Sequence, residues 1–364
     1  MPLTKVRNQG LSFTSGVRNL IINGAMQVAQ RGTSTSSVAS GGYYASDRWR
    51  IDYASAGTWT VSQSTTSPTG FSNSFKMDCT TADASLSAGD ALIFNQRIEG
   101  QNLQHLKKGT SDAESVTLSF WVRSNKTGTY IAELIDNDNT RGYSQSYTIS
   151  SANTWEHKTL TYSGDTTGAL GNDNGLSLYV NFWLAAGTDF TSGTLATSWE
   201  AQTSANRAVG QVNLADSTSN EWYITGVQLE VGDSASNFEH RSYGDELQRC
   251  QRYFYRHDFG GNLAPAMHGG SSNGSQGFFD IQLPVTMRTA PSTSDSSPTF
   301  VTSGVDGNEI GIYKNGFQTI SGSFGGRSGP NHINFSYTTA GLSAGDAVTL
   351  DTGEDYYVQG DAEL

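Results

Sequence analysis

Two cysteines, Cys79 and Cys250, are all that the 364 residues contain. They stand far apart and without metal-ligand spacing, so neither a disulfide framework nor a thiolate metal cluster can underlie the fold. Two structural free thiols are expected instead. Proline is scarce, at seven, and charged residues make up only 15% of the chain. No apolar run approaches the about 20 residues that a membrane-spanning helix needs, and the start, MPLTKVRNQG, lacks the apolar core of a secretory signal. We therefore expect a chain made and assembled in a cytoplasm, with no membrane insertion. Positive charge is in deficit as well: 22 Lys and Arg against 34 Asp and Glu leave a net charge of −12. A phosphate backbone or an anionic bilayer would be repelled, so nucleic acid is not an expected partner.

What is present points to short strands. There are 41 glycines, and Ser, Thr and Asn are plentiful, which alone would suit a disordered chain. However, 7 Trp, 16 Tyr and 16 Phe are far too many aromatics for disorder. From Leu20 to about residue 231, short alternating runs recur between turn signals. Trp49, Ile51 and Tyr53 form one such set; Phe75, Met77 and Cys79 another; Leu92, Phe94, Gln96 and Ile98 a third; Leu118, Phe120 and Val122 a fourth. A period of two puts alternate residues on opposite faces of a strand. Two runs, Leu178–Leu184 and Trp222–Leu229, are apolar on both faces. They are expected to lie centrally, with the second face under a loop, a ligand or another subunit.

The expected fold class is all-β: a jelly-roll β-sandwich, a short linker helix, and a second, smaller β-sandwich domain. Residues 1–18 are polar and read as an arm, 19–241 as the jelly roll, 242–258 as the linker helix and 259–364 as the C-terminal β-domain. The helix signal is Leu247, Cys250 and Phe254 within Tyr243–Arg256, with Ser242 as cap and Asp245 three residues on. In the last region Asn315-Gly316 sits between strand-like runs, a hairpin signal. The string LSAGDA occurs at Leu86–Ala91 and again at Leu342–Ala347, which marks a turn used twice before a strand.

Several segments, taken together and in order, resemble a module of tail-fibre and other minor structural proteins of tailed bacteriophages. They are Asn19-Leu20-Ile21-Ile22-Asn23-Gly24-Ala25-Met26-Gln27-Val28-Ala29-Gln30-Arg31-Gly32-Thr33, Asp47-Arg48-Trp49, Thr117–Arg123, Gly226–Gly232 and Phe238–Leu247. The Leu118–Arg123 strand and Val227–Glu230 are also similar to family 4/9-type carbohydrate-binding modules, which are jelly rolls. The end, Asp361-Ala362-Glu363-Leu364, is similar to the terminus of many such phage proteins, and an intact C-terminus is expected from it. The resemblance implies a virion protein, a homotrimer, and a sugar-binding style of fold. It allows a structural calcium ion; no other cofactor is expected.

No catalytic constellation stands out: HExxH and Walker loops are absent, and the six histidines are scattered. The Asp136-Asn137-Asp138-Asn139 loop offers oxygen ligands but fails the calcium-loop pattern, with Arg141 at position six and Tyr147 at position twelve. The chain is thus read as no enzyme, with no catalytic or metal-ligating residue. Glycan binders stack sugar rings on exposed aromatics and read hydroxyls with polar side chains. Candidates for this work are Gln96, Arg97, Trp121, Arg123, Tyr179, Asn181 and Trp183; burial under loops or against another protomer is the competing account. Tyr313, His332 and Tyr356 are candidate contacts of a C-terminal receptor-binding tip. The reading is a trimeric fibre or receptor-binding subunit that attaches to a host-surface glycan or protein, with its arm docking on other virion proteins. Alternatives are a capsid or tail decoration or adaptor protein without a ligand, and a depolymerase tailspike, against which the lack of stacked repeats and of a site counts.

Overall fold

In the computed structural model, residues 18–259, 265–296, 299–300, 309–314, 317–318, 325–352 and 355–364 are described. The chain divides into two compact units, Met1–Glu246 with Leu364, and Leu247–Glu363.

The first unit is a sandwich of two antiparallel sheets. Its strands are β1 (Ser34–Val38), β2 (Gly42–Tyr43), β3 (Arg50–Ala54), β4 (Thr58–Ser64), β5 (Ser74–Thr81), β6 (Ala91–Glu99), β7 (Val116–Ser124), β8 (Gly128–Asp136), β9 (Arg141–Ile149), β10 (Glu156–Tyr162), β11 (Leu176–Ala186), β12 (Glu200–Ala201) and β13 (Glu221–Val231). One sheet runs β1-β4-β5-β13-β7-β10 and the other β12-β9-β8-β11-β6-β3-β2. The chain passes back and forth between them, which is the jelly-roll wrap. The expected alternation is what fills the core. Phe75, Met77, Phe120 and Trp222 from the six-stranded sheet meet Phe94, Tyr130, Val180 and Phe182 from the seven-stranded one. Trp49 stacks on Phe94 with centroids 4.6 Å apart, and Phe94 and Phe182 each contact Trp222 across the sandwich, at 5.6 and 6.4 Å. Aromatic pairs of this kind add to the area they bury.

Four of the five segments that resemble phage proteins, all but the β7 strand Thr117–Arg123, are joined in a clasp against β13. Asn19 Oδ1 accepts from the Ile21 and Leu229 amides, at 3.0 and 3.1 Å, while its Nδ2 donates to Val227 O at 3.0 Å. Asn23 bonds both backbone groups of Val28, and Trp49 Nε1 donates to Asn23 O. Arg241 donates to Ile21 O at 3.0 Å, and Glu239 accepts from the Asn19 amide at 2.7 Å. These motif residues therefore satisfy buried backbone groups, an architectural task.

The two-sided run Trp222–Leu229 has a different cause from the one expected. The register shifts between Thr225 and Gln228, with Gly226 at φ +62°. A bulge moves the following residues to the opposite face, so Val227 and Leu229 join Trp222 and Ile224 in the same core. The helix is also shorter than expected. Helix α1 ends at Gln251 (Tyr243–Gln251), and β14 (Phe254–Asp258) follows, paired with β24 (Tyr357–Asp361) from Phe254↔Asp361 to Asp258↔Tyr357. Residues 242–258 are thus a helix and a strand rather than one linker helix. Ser242 does cap the helix, its Oγ accepting from the Asp245 amide at 3.2 Å.

The second unit packs a three-stranded sheet, β14-β24 plus β17 (Ser292–Asp295), on a larger one. The latter is built from β15 (Pro265–Asn273), β16 (Gln276–Gln282), β18 (Thr299–Phe300), β19 (Glu309–Tyr313), β20 (Phe317–Gln318), β21 (Gly325–Gly329), β22 (His332–Thr338) and β23 (Ala347–Thr352). Phe279, Ile333, Phe335, Tyr356 and Val358 share its core. Asn315 and Gly316 lie outside the described residues, but β19 and β20 pair antiparallel around them. Both LSAGDA copies make one turn: Asp90 accepts from the Ser87 amide before β6, and Asp346 from the Ser343 amide before β23.

Candidate functional site

Polar chemistry collects on the outer face of the seven-stranded sheet. On β11, Val180, Phe182 and Leu184 enter the core, so Tyr179, Asn181 and Trp183 face away from it. Across the ladder Asn181 is opposite Asn95 on β6 and Glu133 on β8, and Tyr179 is opposite Arg97. The turn after β8 adds Asn137 and Thr140, and the segment after β12 adds Gln202 and Arg207. The result is a cleft of about 400 Å³ over Ile93, Ile135, Tyr179 and Asn181, lined also by Asp52 and Asp136. That volume lies within the about 300–1,000 Å³ typical of small-molecule sites.

Glu133 organises one side. It is 1% exposed and accepts four hydrogen bonds: two from Arg207, both 2.9 Å, one from Asn181 Nδ2 at 2.9 Å, and one from Trp183 Nε1 at 3.1 Å. Burial acts against the charge on Arg207, but the Glu133 carboxylate outweighs it and raises the guanidinium above its ordinary value. The Arg207 guanidinium also lies 4.9 Å from the Trp183 ring centre. On the other side Asp52 holds Arg50 at 2.7 Å, Arg97 at 3.2 Å and Asn95 Nδ2 at 2.9 Å. Arg97 sits over the Tyr179 ring, 5.2 Å from its centre.

At the rim, the buried Lys108 ammonium contacts Asp136, Asp165 at 3.0 Å, and the carbonyl oxygens of Thr167 and Gly168 at 2.9 and 3.0 Å. It supplies positive charge to the Asp136–Asn139 turn, whose Asp136 also accepts from the Asn139 amide and side chain. Burial would raise the Asp165 carboxyl, but Arg141 at 2.7 Å and Lys108 outweigh it, and the group is held below its ordinary value. Among the described residues no group of three or more His, Cys, Asp and Glu is placed to hold a metal ion.

The sequence-predicted site residues do not all gather here. Tyr179 and Asn181 line the cleft, and Arg97 flanks it through Tyr179. Gln96 does not: neighbours on a strand point to opposite faces, and Gln96 turns inward beside Phe94. There its side chain accepts from the Ile22 amide at 2.8 Å and donates to Ile22 O at 2.7 Å. Trp183 is fully buried against Phe190, Ala208 and Ile131, so it supports the site from beneath a loop. Trp121 and Arg123 belong to β7 of the other sheet. Trp121 packs on His157 at 5.1 Å and Arg123 on the Tyr223 ring at 4.8 Å, and burial lowers the His157 pKa. In the second unit Tyr356 is wholly buried, its hydroxyl 3.0 Å from that of Tyr337, and has no surface to offer a partner. Tyr313 is 45% exposed on β19 and His332 half-buried on β22. Three strands separate these two, about 19 Å across the sheet. Sequence reasoning missed Asp52, Glu133, Gln202 and Arg207. Glu133 carried a signal, a lone charge within Ile131-Ala132-Glu133-Leu134-Ile135; Arg207, in an irregular segment, carried none.

No family model matches the chain, and no curated protein matches it. Among solved structures it is similar to the enzymatically active domain of bacteriophage CBA120 tailspike protein 4, with 17% identity and a TM-score of 0.30 over 59% of this chain and 21% of that one. This chain thus spans about a fifth of the tailspike chain. A family 4 carbohydrate-binding module is 13% identical with a TM-score of 0.30, over 58% of this chain and 98% of its own. The family 11 carbohydrate-binding module from Clostridium thermocellum, in complex with a β-1,3-1,4-mixed-linked tetrasaccharide, is 10% identical with a TM-score of 0.28, over 57% and 98%.

Proposed function

We propose that the chain is a non-catalytic, glycan-recognising subunit of a tailed-phage virion, and that the cleft over the seven-stranded sheet is where it holds sugar. The observation that carries this reading is the cleft itself: an aromatic ring, Tyr179, beside a set of side-chain amides, on a floor fixed by sheet hydrogen bonds. Such a floor holds recognition groups in place at low entropic cost. The non-catalytic part is supported by the carboxylates. Asp52, Glu133 and Asp136 are each paired with a cationic side chain and so are engaged in holding the frame of the cleft. The virion part is supported by the ordered motifs from Asn19 to Leu247. The test is binding of the purified chain to host-surface polysaccharide, with Tyr179→Ala as control. Binding that the substitution abolishes, in a protein whose far-ultraviolet spectrum is unchanged, is the expected result. A folded wild-type chain that binds no glycan overturns the reading. Labelling on intact particles tests the virion part, and label confined to the capsid would favour a decoration protein.

We also propose the homotrimer. Its support is the outer side of the six-stranded sheet, where Trp121 on β7 and the Phe71–Phe238 pair, 5.1 Å apart beside the Gly226 bulge, leave half-buried aromatics. Light scattering is expected to give about three times the 39.0 kDa protomer mass. A monomer at micromolar concentration refutes it.

A further inference from the structure

We infer that the cleft selects an uncharged, hydroxyl-rich sugar, one of whose hydroxyls donates a hydrogen bond to the amide oxygen of Asn181. This rests on the glycan-binding reading of the same cleft and narrows its ligand class.

The first line of argument is charge. A uronate or sialate carboxylate is normally held by a guanidinium presenting two free N–H groups. Arg207 is the arginine that lines the cleft, and its Nε and one terminal nitrogen are both given to Glu133 at 2.9 Å. Taking Arg207 away from Glu133 would leave a carboxylate buried without its cation, which is costly. Arg97 and Arg50 are held by Asp52, and Lys108 by Asp136 and Asp165. A cationic amino sugar meets the mirror-image problem, because each of these carboxylates already has its cation. The net charge of −12 adds long-range repulsion against acidic polymers.

The second line is an unmet acceptor. Asn181 is 3% exposed and lines the cleft floor. Its Nδ2 donates to Glu133 Oε2, and an ionised carboxylate only accepts, so the orientation of the amide is fixed. That leaves Oδ1 buried with no hydrogen-bond partner in the protein. Asn95, opposite Asn181 across the β6–β11 ladder, repeats the arrangement. Its Nδ2 goes to Asp52 at 2.9 Å, and its Oδ1 is likewise buried and unpartnered. Of the two, Asn181 is the one that lines the cleft. A sugar hydroxyl can donate; a carboxylate or sulfate cannot. An unsatisfied buried acceptor costs about 1–3 kcal/mol, and a ligand that supplies the donor recovers it. Tyr179, next but one along β11, offers a ring for the C–H face of the same sugar.

The experiment is calorimetric titration of the full chain with three probes: neutral hexose oligosaccharides of several linkages, oligogalacturonate, and chitosan oligosaccharide. Binding is expected among the neutral set alone. The dissociation constant should change less than about twofold between about 50 and about 500 mM salt, since no ion pair forms. Asn181→Ala should weaken neutral binding by about tenfold or more. Should that variant fail to fold, the wild-type preference and its salt dependence still decide the matter. Tighter binding of oligogalacturonate or chitosan oligosaccharide, or a steep salt dependence, overturns the inference while leaving glycan recognition standing. Binding of none of the probes, with host polysaccharide bound, overturns the inference alone. Binding of no glycan at all overturns both.

Discussion

Glu133 is the residue on which the cleft depends. A carboxylate this deep is tolerable only when its oxygens are saturated with donors, and Arg207, Asn181 and Trp183 supply four. Glu133→Ala removes the partner of a mostly buried guanidinium, whose side chain is 18% exposed. The expected loss is roughly 3 kcal/mol of unfolding free energy, read as a lower urea midpoint at unchanged slope. Sugar binding should fall with it, because the Asn181 amide loses the contact that orients it. Asp165 supplies a pH dependence. Its folded pKa lies below the ordinary 3.8, since Arg141 and Lys108 outweigh the effect of burial. A depressed carboxyl contributes stability that is fully present above the unfolded value and lost as pH falls through the folded one. Asp216, beside Lys126, and Glu221, beside Lys76, shift in the same direction. Urea midpoints are therefore expected to be level above about pH 5 and to fall below about pH 4. Asp165→Asn should be less stable at neutral pH and show a shallower acid limb. An acid limb identical to wild type would mean that Asp165 contributes nothing to it.

At the scale of elements, strands were legible and their irregularities were not. Period-two alternation located the strand sets built around Phe75, Phe94 and Phe120, because half-buried strands must alternate. It misjudged Trp222–Leu229, where one extra residue at Gly226 exchanges the faces, and a bulge leaves no mark in hydropathy beyond a glycine. It also extended the helix through Phe254, whose burial is equally compatible with a strand; the pairing with β24, about a hundred residues away, decides the matter. The cleft was half legible for a related reason. Tyr179 and Asn181 lie on one readable strand, whereas Arg207 reaches the cleft from an irregular segment whose position follows from the tertiary fold. Gly24 shows what the ordered motifs encode. Val227 N donates to Gly24 O at 2.9 Å, and a Cβ at Gly24 would come within 2.2 Å of Val227 O. Backbone cannot yield there without opening the clasp that Asn19 closes. Gly24→Ala is thus expected to cost roughly 3 kcal/mol, measured by urea titration. A loss below about 0.5 kcal/mol would mean that the clasp adjusts at little cost.

At the scale of the whole molecule, the proposed receptor-binding role could reside in either of two places. The second unit offers the turns between its strands and the exposed Tyr313 on β19, while the first offers a formed cleft with an unmet acceptor. The two kinds of surface differ physically. A pocket on a sheet is rigid and recognises a small, repeated unit such as a sugar, whereas loops vary freely and suit discrimination among hosts. They can therefore act in series, with weak glycan capture by the first unit and host choice by the second. Separate perturbations distinguish these tasks. Exchanging residues 259–364 for the equivalent region of a related phage is expected to move host range with the exchanged part. Tyr179→Ala in the unexchanged protein is expected to slow adsorption on every host by a similar factor without altering which hosts are infected. The measurement is the adsorption rate of assembled particles on a panel of strains. If Tyr179→Ala changes host range while the exchange does not, the cleft alone reads the host. If neither perturbation alters adsorption and both proteins still incorporate into particles, the receptor-binding assignment falls and a structural decoration role takes its place.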